Sequence, residues 1–170
     1  MAGGISTGRP SRKFRNSFDS EKDLHGQLLD DCKKLCVFLG LPKAVEITKE
    51  ANIDYRVRGQ NRNRTQARAD IVVWHGSREY TVIEAKVSRS ATVVASAIGQ
   101  LLLYRSLLVC RQGAEKVNLV LAVDAPVLDE IGHIIYSNEL DIFLVSCNDL
   151  GATLLGYDPN TVQLQRFVNG

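Results

Sequence analysis

Two acidic residues and a lysine lie on neighbouring apolar segments in the middle of this 170-residue chain. Asp70 stands near the start of the apolar run 69–74, and Glu84 and Lys86 stand near the end of the run 80–87. Both runs are rich in β-branched residues, and the short stretch between them contains a glycine. The pattern predicts a β-hairpin that carries two carboxylates and an ammonium group.

The spacing of these residues predicts that they meet. Residues i and i+2 of a strand point to the same face, so Glu84 and Lys86 project together. A register that pairs Trp74 with Tyr80 places Asp70 opposite Glu84, with Cβ atoms roughly 5 Å apart. Two carboxylates this close repel each other unless a cation lies between them. Together with a neighbouring backbone carbonyl and water, they suit Mg²⁺.

The alternative is an exposed ion pair between Glu84 and Lys86 on an edge strand, worth under about 1 kcal/mol. Charged residues in a strand that is buried on both faces are costly unless they serve a metal or each other. The residues around the pair are all apolar and favour the buried strand, hence the site: Val82, Ile83, Ala85 and Val87.

The middle of the chain, from residue 70 to residue 104, resembles the PD-(D/E)XK nuclease superfamily. The first acid of that family matches Asp70, the second matches Glu84, and its lysine matches Lys86. Ala69 stands where the family has a proline, which carries no ligand atom. The helix that follows in many members bears a glutamine and a tyrosine one turn apart, and Gln100 and Tyr104 match them. These two residues could instead be ordinary helix-surface or core residues.

The resemblance implies an α/β fold of the restriction-endonuclease-like type: a mixed β-sheet core flanked by helices in the order αβββαβ, here with extra C-terminal strands. It also implies metal-dependent hydrolysis of DNA phosphodiester bonds. Asp70, Glu84 and the carbonyl of Ala85 would bind Mg²⁺, or Mn²⁺ as a substitute. Lys86 would orient or deprotonate the attacking water, and Gln100 could complete the ligand shell.

A first helix is expected to begin at Ser20, which forms a capping box with Asp23, and to end before Gly40. In the superfamily a glutamate near the start of this helix often completes the metal site, so Glu21 is a candidate ligand. The alternative is that Glu21 only favours the positive end of the helix. Weaker substitutes for that role are Asp30, Asp31 and Glu46.

The rest of the chain predicts further strands and helices. Strand, helix and strand in succession imply a parallel crossover, hence a mixed sheet with helices on both faces. The expected elements are an extended segment 45–57, a long helix 91–110, a strand 116–123, a helix 127–136, a strand 141–146 and a terminal hairpin formed by 153–157 and 161–167.

Basic residues are concentrated in the first two thirds of the chain. The net charge is +2, but residues 1–111 carry +8 and residues 112–170 carry −6. A basic arm, residues 1–17, and an arginine-rich loop before Asp70 are therefore expected to contact the phosphates of DNA. The alternative is a solvated run of charges. The residues concerned are Arg12, Lys13 and Arg15 in the arm, and Arg56, Arg58, Arg62, Arg64 and Arg68 in the loop.

The composition predicts one domain, residues 18–170, after the basic arm. The chain shows no signal sequence and, by inspection, no apolar run long enough to cross a membrane. Cys32 and Cys36 are expected in the core, which indicates a reducing, intracellular setting. Cleavage of double-stranded DNA would favour a homodimer or a higher homo-oligomer. The alternatives are a non-catalytic DNA-binding or assembly module with the nuclease fold, and a nuclease that acts on RNA.

Overall fold

The fold was analysed in a computed structural model, which describes residues 20–55, 65–87, 90–124, 140–147, 153–158 and 163–168. Within these residues there are two helices and seven strands. In chain order they are α1 (Glu21–Phe38), β1 (Glu46–Tyr55), β2 (Thr65–Gly76), β3 (Glu79–Lys86), α2 (Ala91–Gln112), β4 (Lys116–Asp124), β5 (Phe143–Cys147), β6 (Thr153–Asp158) and β7 (Gln163–Val168).

The strands form one sheet in the order β1-β2-β3-β4-β5-β6-β7. β3, β4 and β5 are parallel, and the other neighbours are antiparallel. α1 packs on one face and α2 on the other, because their buried residues belong to two separate core clusters. The prediction of an α/β fold with a mixed sheet between helices is therefore confirmed. The predicted helix 127–136 lies outside the described residues, as do the basic arm and most of the arginine-rich loop.

α1 begins where the sequence predicts. The hydroxyl of Ser20 accepts a hydrogen bond from the backbone N–H of Asp23 at 3.3 Å and donates one to the Asp23 carboxylate at 2.7 Å. The apolar stripe of the helix faces the sheet, and its buried members are Leu24, Leu28, Cys32, Leu35 and Cys36. The cap fixes where α1 begins, and the buried stripe fixes which side of its first turn faces the sheet.

The hairpin of β2 and β3 has the predicted register, with Trp74 opposite Tyr80. Its turn is tighter than the sequence suggests, because only Ser77 and Arg78 lie between the strands. Both have positive φ, 46° and 62°, as a two-residue turn of type I′ requires.

β1 and β2 both change face near Asp70. Ala67 and Ala69 pack on the α2 side of the sheet, whereas Ile71 and Val73 pack on the α1 side. Regular alternation would put all four on one side. β1 changes side at the same level, around Glu50, whose φ is 49°. Asp70 therefore lies at a break in the strand pattern.

By length and hydropathy alone, α2 could cross a membrane, because an 18-residue window within it has a mean hydropathy of 1.7. The expectation that no segment is apolar enough is wrong by this criterion. One such helix is weak evidence for a membrane, since the core helices of soluble proteins pass the same test. One side of α2 packs on the sheet through Val94, Ala97, Ile98, Leu101 and Leu108.

Candidate active site

Asp70 lies where β2 and β3 separate. The last paired residues of the two strands are Ile71 and Ile83. One step beyond them, the Oδ2 atom of Asp70 accepts a hydrogen bond from the backbone N–H of Ala85 at 2.9 Å. A side-chain carboxylate thus takes the place of a strand carbonyl as the partner of this N–H. Asp70 is thereby held beside the E-x-K triplet, although it forms no ladder pair with Glu84.

Glu84 and Lys86 form a buried ion pair near the C-terminal end of β3. Lys86 Nζ lies 2.9 Å from Glu84 Oε1 and 4.0 Å from Asp70 Oδ2. The side chain of Glu84 is 3% exposed and that of Lys86 is 14% exposed. β3 lies between β2 and β4 in the sheet. The alternative of an exposed pair on an edge strand is therefore wrong.

Burial is the largest single influence on the pKa of both Glu84 and Lys86, but it decides the direction of the shift only for Glu84. It raises the pKa of Glu84 to about 7, the charge of Asp70 adds to this effect, and Lys86 offsets part of it. Burial would lower the pKa of Lys86, but its hydrogen bond with Glu84 and the charges of Glu84, Asp70 and Glu21 raise it above its usual value. The ammonium group of Lys86 therefore stays charged at neutral pH, whereas the carboxyl group of Glu84 is only partly ionised there.

The first turns of α1 bring two more side chains to this point. Glu21 Oε1 lies 4.0 Å from Lys86 Nζ, and the Glu21 side chain is 47% exposed. His25, one helical turn later, places Nε2 3.2 Å from Asp70 Oδ2. Nothing in the sequence indicates this second contact, since His25 has no partner within metal-ligand spacing. Only the packing of α1 across the hairpin reveals it.

Tyr104 links α2 to the strand that carries Asp70. Its hydroxyl donates a hydrogen bond to the backbone carbonyl of Arg68 at 2.6 Å. Burial raises the pKa of Tyr104 to about 12, and the charges of Glu84 and Asp70 contribute. Tyr104 is 2% exposed. It is therefore a core residue whose hydroxyl contacts the strand that carries Asp70, and its role in the site stays a prediction.

Other predicted residues take less direct positions. Gln100 is half-buried one turn before Tyr104, and no hydrogen bond within the described residues joins it to the acids. Asp31 pairs with Lys34 at 3.1 Å, away from the site. Arg68 is exposed two residues before Asp70. The predicted phosphate contacts of Arg12, Lys13, Arg15, Arg56, Arg58, Arg62 and Arg64 lie outside the described residues and stay predictions.

The types of donor at the site, carboxylates and a backbone carbonyl, are those that hard divalent cations bind. Glu84 Oε2 is buried without a hydrogen-bond partner, and such an atom needs an explanation in a native fold. As they stand, no three His, Cys, Asp or Glu side chains of the described residues lie close enough together to enclose a metal. Lys86 supplies the positive charge between the carboxylates instead. The ligand roles of Asp70, Glu84, Glu21 and the Ala85 carbonyl stay predictions.

Comparisons with known proteins add little. No family model and no curated protein matches the chain. Among solved structures, the chain is similar to the crystal structure of an XisH family protein from Nostoc punctiforme PCC 73102. The two share 18% sequence identity, with 73% of this chain and 88% of that chain covered and a TM-score of 0.40. A likeness this low assigns neither a fold nor a function to this chain.

Proposed function

We propose that this protein is a metal-dependent endonuclease that hydrolyses phosphodiester bonds of double-stranded DNA. One observation carries the proposal: a carboxylate with an unpartnered oxygen, Glu84, is buried beside a second carboxylate, Asp70, and a charged lysine. Such a group destabilises the fold, because its charge is desolvated and repelled by a like charge. A cation bound between the two carboxylates would offset this loss of stability, which explains why an enzyme would keep the group.

The chemical roles follow from the charges. A divalent ion held by Asp70 and Glu84, with the Ala85 carbonyl and Glu21, would polarise the scissile phosphate and make bound water more acidic. Lys86 would stabilise the extra negative charge electrostatically, or orient or deprotonate the attacking water. Tyr104 would help to position Asp70, because its hydroxyl donates a hydrogen bond to the carbonyl of Arg68, two residues earlier in β2.

The architecture supports the same proposal. The described elements up to β4 run α1, β1, β2, β3, α2, β4, and this succession is compatible with the order that the resemblance to the nuclease superfamily implies. The site lies on the neighbouring strands β2 and β3, at the point where they separate. We further propose that the basic arm and the arginine-rich loop bind DNA phosphates, that the protein acts inside the cell, and that it works as a homodimer or a larger homo-oligomer.

The proposal is tested by incubating the purified protein with supercoiled plasmid, linear duplex, single-stranded and branched DNA. Each reaction is run with Mg²⁺, with Mn²⁺ and with chelator. Cleavage is expected with a metal only. It should be lost in Asp70→Asn and Lys86→Ala but retained in Glu115→Gln, a control at an exposed glutamate whose side chain is 69% exposed. Salt-sensitive DNA binding without any metal-dependent cleavage would favour the non-catalytic module and contradict the proposal.

A further inference from the structure

Three side-chain polar atoms in the described part of the chain are buried without a hydrogen-bond partner: His25 Nε2, His75 Nδ1 and Glu84 Oε2. Two of them, on His25 and Glu84, border the candidate active site. His25 Nε2 lies only 3.2 Å from Asp70 Oδ2, but its direction does not meet the geometry of a hydrogen bond. Its side chain is 13% exposed, so water does not readily replace the missing partner.

The distance between His25 and Asp70 suits two ligands of one ion. Neighbouring ligand atoms at about 2.1 Å from an octahedral ion are about 3 Å apart. The observed 3.2 Å between His25 Nε2 and Asp70 Oδ2 is close to that value. Glu21 and His25 are four residues apart on α1 and therefore lie on the same side of the helix. Glu21 reaches Lys86 from there, at 4.0 Å.

We propose that His25 is a direct nitrogen ligand of the catalytic cation, and that it makes the site select Mn²⁺, or a similar transition-metal ion, over Mg²⁺. The inference rests on the proposed function, because it assigns the metal of the same site. Carboxylates and water suit Mg²⁺ and Mn²⁺ alike, whereas an imidazole nitrogen favours transition metals. No three His, Cys, Asp or Glu side chains of the described residues enclose a metal while Lys86 contacts Glu84, so Lys86 would have to move as the ion binds. The resulting site, with one His and two or three acids, should then prefer Mn²⁺. Mg²⁺ would bind more weakly.

A different role for His25 makes a different prediction. If His25 only positions Asp70 through a hydrogen bond, its loss should weaken the binding of Mg²⁺ and Mn²⁺ equally, since both use the same carboxylate. If His25 binds the ion itself, its loss should weaken Mn²⁺ much more than Mg²⁺. The ratio of the two affinities separates the roles without any measurement of DNA cleavage.

The experiment uses the full chain, stripped of metal and free of DNA. Calorimetric titration gives the affinities for Mn²⁺ and Mg²⁺ of the wild type, His25→Gln and a control, His75→Gln. The control removes the other histidine with a buried unpartnered nitrogen, whose Nε2 contacts Thr81 at 2.8 Å, remote from the acids. We expect His25→Gln to lose at least about tenfold in Mn²⁺ affinity and less than about threefold in Mg²⁺ affinity. The control should leave both unchanged.

Pulsed electron paramagnetic resonance of bound Mn²⁺ provides a second readout. A directly bound imidazole couples its nitrogen nucleus to the Mn²⁺ electrons, so the wild type and His75→Gln should show nitrogen modulation and His25→Gln should not. Absence of that modulation in the wild type overturns the inference even if the variants fail to fold. So does an equal loss of both metals in His25→Gln. If the wild type binds neither metal, the proposed function fails, and the inference fails with it.

Discussion

Replacement of Glu84 by glutamine should make the metal-free protein less sensitive to pH. Burial, and then the charge of Asp70, raise the pKa of Glu84 from 4.5 to about 7 in the folded chain. Between these values the folded state binds more protons than the unfolded state. The contribution of Glu84 to stability is therefore fully present below about pH 4.5 and is lost as the pH rises through about 7. Glutamine has nearly the same shape and carries no charge at any pH.

The size of the effect follows from the change in pKa. One pKa unit corresponds to about 1.4 kcal/mol, so ionised Glu84 costs the metal-free fold about 3 kcal/mol at alkaline pH. Part of that cost is already present at about pH 5, because Glu84 in the unfolded chain, with its ordinary pKa of 4.5, is mostly ionised at that pH. Between about pH 5 and about pH 8 the wild type should therefore lose roughly 2 to 3 kcal/mol more than Glu84→Gln.

Urea denaturation at several pH values in this range, with chelator present, measures the difference directly. Glu115→Gln is the matched control, because it removes an exposed glutamate, and its pH profile should follow that of the wild type. Addition of Mn²⁺ at about pH 8 should stabilise the wild type and the control but not Glu84→Gln, since an ion that binds only the folded state raises its stability. Parallel pH profiles for the wild type and Glu84→Gln would refute the electrostatic account.

Further changes test the elements that support the site. Tyr104→Phe leaves the Arg68 carbonyl without its hydrogen-bond donor and should cost about 1 to 2 kcal/mol in urea denaturation, with weaker Mn²⁺ binding by calorimetry; unchanged values would mean that the bond has no supporting role. Ser20→Ala should cost about 1 kcal/mol of stability through loss of the helix cap, and Ser20→Thr should lose much less. Replacing Ser77 and Arg78 by Asn-Gly should raise stability by about 1 kcal/mol, because both positions have positive φ; a lower melting temperature would contradict the assigned turn.

The sequence predicts the hairpin because the pairing of its strands depends on residues that are close together in the chain. The β-branched runs and the turn between them determine the pairing of Trp74 with Tyr80, and strand periodicity puts Glu84 and Lys86 on one face. Only the turn length was less clear, since Ser77 and Arg78 are not typical of a turn with two positive φ values. The capped helix at Ser20 is likewise a local feature, so the sequence predicts it too.

The break at Asp70 could not be predicted. Residues 71–73 are all apolar, so the sequence shows no alternation from which a change of face could be recognised. His25 was missed for a related reason. Its contact with Asp70 depends on how α1 lies across β2, and no motif in the chain links the two residues. Contacts between distant segments depend on the packing of the whole domain, which local spacing does not encode.

The most direct test of the account is to locate the metal. Crystals of the wild-type protein grown or soaked with Mn²⁺ should give an anomalous difference peak within about 2.2 Å of carboxylate oxygens of Asp70 and Glu84 and of His25 Nε2. Lys86 should then have moved from its contact with Glu84. A fully occupied Mn²⁺ ion elsewhere on the protein, with Lys86 still bound to Glu84 and no density between the two acids, would contradict the account.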